Sequence, residues 1–134
     1  MTTSQNVTPT DVVLGVYRAV LGGDPAAATD LLAADAVLHI PGRQPLAGDH
    51  HGRDAVLEAV AGHSHRAGRT ERIEIRDVLA GADHVAVYCD VHGERDGRVA
   101  LENRTIHLFR LVDGRIAEIW FHNWDQGRVD AFWS

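Results

Sequence analysis

From Val99 to Asn123 the chain reads VALENRTIHLFRLVDGRIAEIWFHN, and the fold turns on how this stretch is read. Apolar and polar residues alternate from Val99 to Val112, which predicts one long strand. Asn103, Thr105, His107 and Phe109 share one side of it, and Arg104, Ile106, Leu108 and Arg110 share the other. Asp113-Gly114 is a two-residue hairpin signal, because both central positions of a tight hairpin turn need positive φ. A last strand then runs from Arg115 to about Asn123. Regular alternation would put Trp120, His122 and Trp124 on one side and Ile119 and Phe121 on the other.

The preceding segments are also strands. Arg72 to Leu79 carries Ile73, Ile75 and Val78, and Gly81-Ala82-Asp83 turns the chain. His84 to His92 sets Val85, Val87, Cys89 and Val91 against Ala86, Tyr88, Asp90 and His92. Asp96-Gly97 is a second hairpin signal, flanked by Asp90 and His92, for which solvent exposure is the default. Before this meander the periodicity is helical. Thr8-Pro9-Thr10-Asp11 is a helix start, with a capping hydroxyl, proline in the first turn and an acid at the positive helix end. Val12, Val13, Val16, Tyr17, Val20 and Leu21 form its apolar stripe, and Gly22-Gly23 stops it. Asp24-Pro25 starts a second helix with Ala28, Leu31 and Leu32 inward. Ala36 to Ile40 is a short strand ended by Pro41-Gly42, a polar loop runs to His51, and a third helix spans about Arg53 to Ala61. After the last strand only a short tail is expected, ending in Ala131-Phe132-Trp133-Ser134. The expectation is a single domain over residues 1–134, the first eight flexible. Its class is α+β: three N-terminal helices packed on a strongly curved, mainly antiparallel sheet, leaving an internal pocket between the layers.

Composition narrows the function classes. The chain has 134 residues, enough for one core, with 45% hydrophobic and 24% charged residues. Its net charge is −6 and it holds no Lys/Arg block, so nucleic acid is not an expected partner. Cys89 is the single cysteine, which excludes an internal disulfide and suits a reducing compartment. Met1 to Pro9 has neither a basic cluster nor an apolar run, and no apolar stretch nears the ~20 residues of a membrane span, so a cytoplasmic protein away from membranes is expected.

The order of landmarks then resembles a known family. Leu21-Gly22-Gly23-Asp24, Ala33-Ala34-Asp35-Ala36-Val37-Leu38-His39, Pro41-Gly42 and Asp113-Gly114-Arg115-Ile116-Ala117-Glu118-Ile119-Trp120 follow one another as in SnoaL-like and ketosteroid isomerase-like domains of the nuclear transport factor 2-like superfamily. The resemblance covers nearly the whole chain and implies a cystatin-like cone around a pocket. It does not imply one activity, since isomerases, cyclases, dehydratases, epoxide hydrolases and inert binding domains share this fold.

The resemblance also suggests site residues. It places His107 where ketosteroid isomerases have a donor to the developing oxyanion, and Tyr17 at their oxyanion tyrosine. The plain alternatives are a core histidine with its partners satisfied and an aromatic filler whose hydroxyl meets a backbone carbonyl. His39 and Ile40 stand where those isomerases keep a catalytic carboxylate. A histidine there is a competent base, and a surface histidine is the alternative. Asn103, Trp120, His122 and Trp124 are candidate ligand contacts, with Trp120 as core filler the alternative. Asp125 lies close to the last-strand aspartate used by SnoaL-type cyclases, or caps the tail. The Arg with two Asp of limonene epoxide hydrolases has no counterpart on the long strand. The histidine and tyrosine make-up is closer to that of scytalone dehydratases.

Nine histidines raise the question of a metal, with His50-His51, His63-Ser64-His65 or His39, His107 and His122 as candidates. None has helical HExxH spacing and there is no cysteine cluster, so no metal and no cofactor is expected. Two readings follow. One is a cofactor-free isomerase, cyclase or dehydratase acting on a small hydrophobic carbonyl or polyketide-like compound, with His39 as base and Tyr17 and His107 on the oxyanion. The other is a non-catalytic domain that binds the same class of molecule. A homodimer is expected through the outer sheet face, where Ile106, Leu108, Ile119 and Phe121 would lie between Arg104 and Arg110.

Overall fold

The computed structural model describes residues 7–64, 69–95 and 97–134. Helix α1, Pro9–Leu21, begins with a capping box. The Asp11 N–H donates to Thr8 Oγ1 and the Thr8 N–H to Asp11 Oδ2, each at 3.1 Å. Its inner face is Val12, Val13, Val16 and Tyr17. The chain leaves the helix through Gly22 and through Gly23, whose φ of 82° suits glycine.

Beyond α1 the expected helix count needs correcting. Among the described residues there are four helical segments, and one of them closes the chain. Pro25–Leu31 is a 3-10 segment. Strand β1 follows at once, from Leu32 to Ile40, and the polar loop contains a short strand β2, Gly48–His51. Helix α2 is Arg53–Ser64. Strands β3 (Arg69–Ala80), β4 (His84–Arg95), β5 (Leu101–Val112) and β6 (Arg115–Asn123) form the meander. The expected tail is helix α3, Gln126–Trp133. Asp125 accepts the Arg128 N–H at 3.1 Å and starts it. Val129, Phe132 and Trp133 then fall on one face and bury against Leu101, a burial worth roughly 1.5–3 kcal/mol for each large side chain.

The six strands make one sheet in the order β2-β1-β6-β5-β4-β3. All neighbours are antiparallel except β1 and β6, which run parallel. Register shifts at Leu32/Val37, Ile75/Asp77 and Arg110/Leu111 bend the strands and give the sheet its curvature. The β5–β6 hairpin turns on Asp113 and Gly114 with φ of 52° and 78°, as its sequence signal predicts. Asp96 of the other hairpin signal, residues 1–6 and His65 lie outside the described residues.

The core fills the space between α1, α2 and the concave face. Leu38, Val85, Val87, Cys89 and Ile116 are fully buried there with Val13 of α1. The expected alternation holds along β4 and β5, so Asn103, Thr105, His107 and Phe109 face inward while Arg104 and Ile106 face out. It fails along β6. Leu111 pairs with Ile116, but Arg110 pairs with Glu118, so Ala117 is an extra residue. Because side chains alternate with a period of two, one extra residue exchanges the two faces of everything beyond it. Ile119 and Phe121 therefore point into the molecule, and Trp120 and His122 lie on the outer face with Leu108 and Ile106.

Candidate functional site

A pocket of about 110 Å³ lies between α1, the concave face of the sheet and α3, on the scale of cavities that admit a single ring. Its walls are mostly apolar: Val16 and Val20 from α1, Phe109 and Phe121 from the sheet, Val129 and Trp133 from α3. Three of the residues singled out from sequence meet here, namely Tyr17, Asn103 and His107.

Tyr17 and His107 form the polar centre of the wall. Tyr17 Oη and His107 Nδ1 are 2.7 Å apart, and both residues are buried. Their rings lie nearly parallel, with centroids 6.0 Å apart and planes 9° apart. Phe121 packs on the imidazole at 4.2 Å, and Phe109 meets the phenol edge-on at 5.9 Å. Burial, with a smaller push from Cys89, holds the Tyr17 pKa well above its usual 10, so the phenol stays protonated and is a hydrogen-bond donor. Either Tyr17 donates to His107, or His107 donates through Nδ1–H and leaves the phenol O–H for a molecule in the pocket. Cys89 is not a nucleophile here, because burial pushes its thiol up to about 12.

Asn103, 8% exposed, sits further along β5. Its Nδ2 donates to Asn123 Oδ1 at 2.9 Å, and Asn123 Nδ2 donates to Gln126 Oε1 at 2.9 Å. Thr105, between Asn103 and His107 on the same face, donates to the His122 carbonyl at 3.0 Å.

The other five sequence candidates, His39, Trp120, His122, Trp124 and Asp125, lie outside the pocket lining, which corrects the expectation that they meet the ligand there. His39 alternates with Leu38 and Ile40, which are both buried, so its own side chain is on the outer face. There its Nδ1 meets Asp49 Oδ1 at 2.7 Å and its Nε2 meets Glu118 Oε2 at 2.5 Å. Glu118 is also held by Arg110 at 3.1 Å. Trp120 stacks on His39 at 5.6 Å, outside the pocket, because the Ala117 bulge turned it outward. His122 and Trp124 are exposed, Trp124 at 86%, and with Asp125 they line an outer groove beside Tyr88 and Arg104. Asp125 is the cap of α3. The possible histidine set is split by the sheet, with His107 inside and His39 and His122 outside. Among the described residues no three His, Cys, Asp or Glu side chains are placed to hold a metal ion. No helix among them is long and apolar enough to cross a membrane.

Three pocket residues escaped the sequence reading. Glu71 is the one carboxylate among the described pocket-lining residues, and it shares a side of β3 with Ile73 at two-residue spacing. Asn123 shares the true inner side of β6 with Ile119 and Phe121. Gln44 is buried in the loop after β1, where no periodicity exists to announce it. The Pro41-Gly42 landmark now has a physical reason. A Cβ on Gly42 would fall 2.2 Å from both Asp130 and Gln126, and its φ is 97°, so only glycine lets this turn dock against α3.

Comparison with known proteins agrees with this architecture. A SnoaL-like domain family model matches residues 13–119. An uncharacterized protein of Mycobacterium tuberculosis, Rv0034, is 30% identical over 92% of this chain and 95% of its own length. The structure of Bal32a from a soil-derived mobile gene cassette superposes with a TM-score of 0.87 at 29% identity, covering 94% of this chain and 96% of that one. IdmH of Streptomyces antibioticus, a candidate polyketide cyclase, superposes with a TM-score of 0.71 at 26% identity over 93% of this chain and 96% of its own. By its family match, its cystatin-like and NTF2-like fold and the curved sheet that frames its pocket, the chain belongs to the SnoaL-like domain family.

Proposed function

We propose that the pocket takes a small apolar carbonyl compound and that the chain is a cofactor-free enzyme of the isomerase, cyclase or lyase type. The observation that carries this reading is the buried 2.7 Å contact between the Tyr17 hydroxyl and His107 Nδ1 in the wall of an otherwise apolar pocket. With His107 donating to the phenol oxygen, the phenol O–H points to a carbonyl oxygen and strengthens its bond as negative charge develops there. Apolar walls raise the value of that interaction by excluding water. The proton leaves the carbon beside the carbonyl for a carboxylate, and Glu71 is the pocket residue of that type. His39 has no part in this step, since it lies on the far side of the sheet. The likeness to IdmH supports a cyclase-type reaction among the three.

The test is to offer small cyclic enones and hydroxyketones and to follow binding and conversion together. Tyr17→Phe keeps the ring and deletes the donor, so turnover is expected to fall by up to about 10³-fold. Glu71→Gln is expected to cost about 10²–10⁴-fold. Tight binding without conversion, with both substitutions changing affinity only, would instead assign the chain to non-catalytic small-molecule binding.

The outer sheet face supports a homodimer, with Ile106, Leu108 and Trp120 as its apolar part and Arg104 and Arg110 beside them. Light scattering at low micromolar concentration is expected to give twice the chain mass, and a clean monomer would sink the assignment.

A further inference from the structure

The direction of the amide relay beside the pocket is set from its far end. Asp130 Oδ1 accepts the Arg43 N–H at 3.0 Å, and the Pro41 carbonyl can only accept. Gln126 Nε2 reaches both, at 3.0 and 3.3 Å, so the NH₂ of Gln126 must point that way. Its Oε1 then faces Asn123 and needs a donor, which fixes the Asn123 amide. The Asn123 oxygen in turn needs a donor, which fixes the Asn103 amide. Reversing any one of the three would set donor against donor or acceptor against acceptor. The relay therefore leaves Asn103 Oδ1 as the group that none of the described residues uses. That oxygen is buried, belongs to a pocket-lining residue and has no hydrogen-bond partner among the described residues. A buried acceptor without a partner is uncommon and costs stability, so it asks for an explanation.

We infer that Asn103 Oδ1 receives a hydroxyl or N–H of the ligand, so that the pocket selects ring compounds carrying a donor at one end and a carbonyl at the other. The inference rests on the carbonyl reading of the Tyr17 end. Asn103 and His107 are four residues apart on β5, about 13 Å at the rise of a strand, so the two groups engage opposite ends of a molecule rather than one functional group. A ligand without the donor would leave the acceptor buried and unpaired, and sites of that design reject the analogue that lacks the bond. Gln126 lies outside the pocket lining and acts as a positioning residue, through the amide orientation it imposes.

The experiment is calorimetric titration of the purified chain with 4-hydroxyacetophenone, 4-fluoroacetophenone and unsubstituted acetophenone. Fluorine is close to hydroxyl in size but donates nothing. The hydroxy compound is expected to bind about tenfold more tightly than the fluoro compound, the scale of one hydrogen bond to a buried acceptor. Asn103→Leu is expected to bring the two to within about threefold, and Gln126→Leu to shrink the gap without touching the lining, because it releases the Asn103 amide to turn. Tyr17→Phe should weaken both compounds and keep the gap. Equal binding of the hydroxy and fluoro compounds to the unmodified chain, still weakened by Tyr17→Phe, overturns the Asn103 inference and leaves the carbonyl reading standing. Binding of none of the three overturns both.

Discussion

His39 shows how neighbours on other strands set the charge of one side chain. Its two ring nitrogens meet two carboxylates, Asp49 and Glu118, and carboxylates only accept. Both nitrogens must then carry hydrogen, so His39 is an imidazolium, stacked on the Trp120 face. Burial pulls its pKa down, but the hydrogen bonds and charges of Asp49 and Glu118 outweigh it, and the net shift is upward from 6.5. Asp49 and Glu118 are shifted the other way, below 3.8 and 4.5, chiefly by their bonds to His39. The raised group contributes fully below about pH 6.5 and loses its effect as pH rises through the folded value. The lowered groups contribute above their usual values and lose their effect as pH falls. The clasp is thus strongest between about pH 5 and 6.5. His39→Gln is expected to lower Tm more at pH 5.5 than at pH 8.5, and equal losses by calorimetry at the two pH values would refute the charged state. Cys89 is buried, and its thiol is raised to about 12. A thiol reagent should leave the native chain unlabelled at pH 7 and react at once in denaturant. Rapid native labelling would mean that the core opens readily.

At the scale of elements, Ala117 carries the most consequence per atom. Deleting it would restore plain alternation and send Trp120 toward the core while turning Ile119 and Phe121 out. The deletion variant is expected to lose its cooperative unfolding transition by circular dichroism. Retention of a native-like melt would show that the register is set elsewhere. Gly93 tests the docking of α3. A Cβ there would stand 2.9 Å from Phe132 Cζ, so Gly93→Ala should push the ring aside and cost about 1–3 kcal/mol. Hydrogen exchange in α3 should rise first, because Phe132 is one of the buried side chains that anchor it. These elements also explain what the sequence disclosed. Strands β4 and β5 were readable because their apolar positions fall on one phase of a period of two, and that phase put Asn103 and His107 on the inner face as the α1 stripe did Tyr17, while the roles of Tyr17 and His107 came from the family resemblance. The phase of β6 was not readable, since Ile116 and Trp120 fit one phase as well as Ile119 and Phe121 fit the other, and alanine does not announce a bulge. Strand β2, Gly48–His51, has no apolar pattern and exists through its pairing with β1. The place of His39 depended on partners from β2 and β6, which no local pattern of β1 contains.

For the whole molecule, stability rests on the layer between α1, α2 and the concave face. Leu38 is fully buried at its centre, and Leu38→Ala is expected to cost about 2–5 kcal/mol in a two-state denaturant melt. A loss below about 1 kcal/mol would mean that the core refills the space. The one parallel pairing in the sheet, β1 against β6, has a consequence for how the protein is made. Leu38 and His39 find their partners, Ile119 and Trp120, only in β6, the last of the described strands. While the ribosome adds residues at about 5–20 per second, β1 has β2 on one edge and nothing on the other, and α1 has no closed sheet to lie on. Chains halted at Val112 should therefore stay protease-sensitive on the ribosome, and resistance should appear in one step once β6 has emerged. The parallel strand thus ties closure of this fold to the arrival of β6.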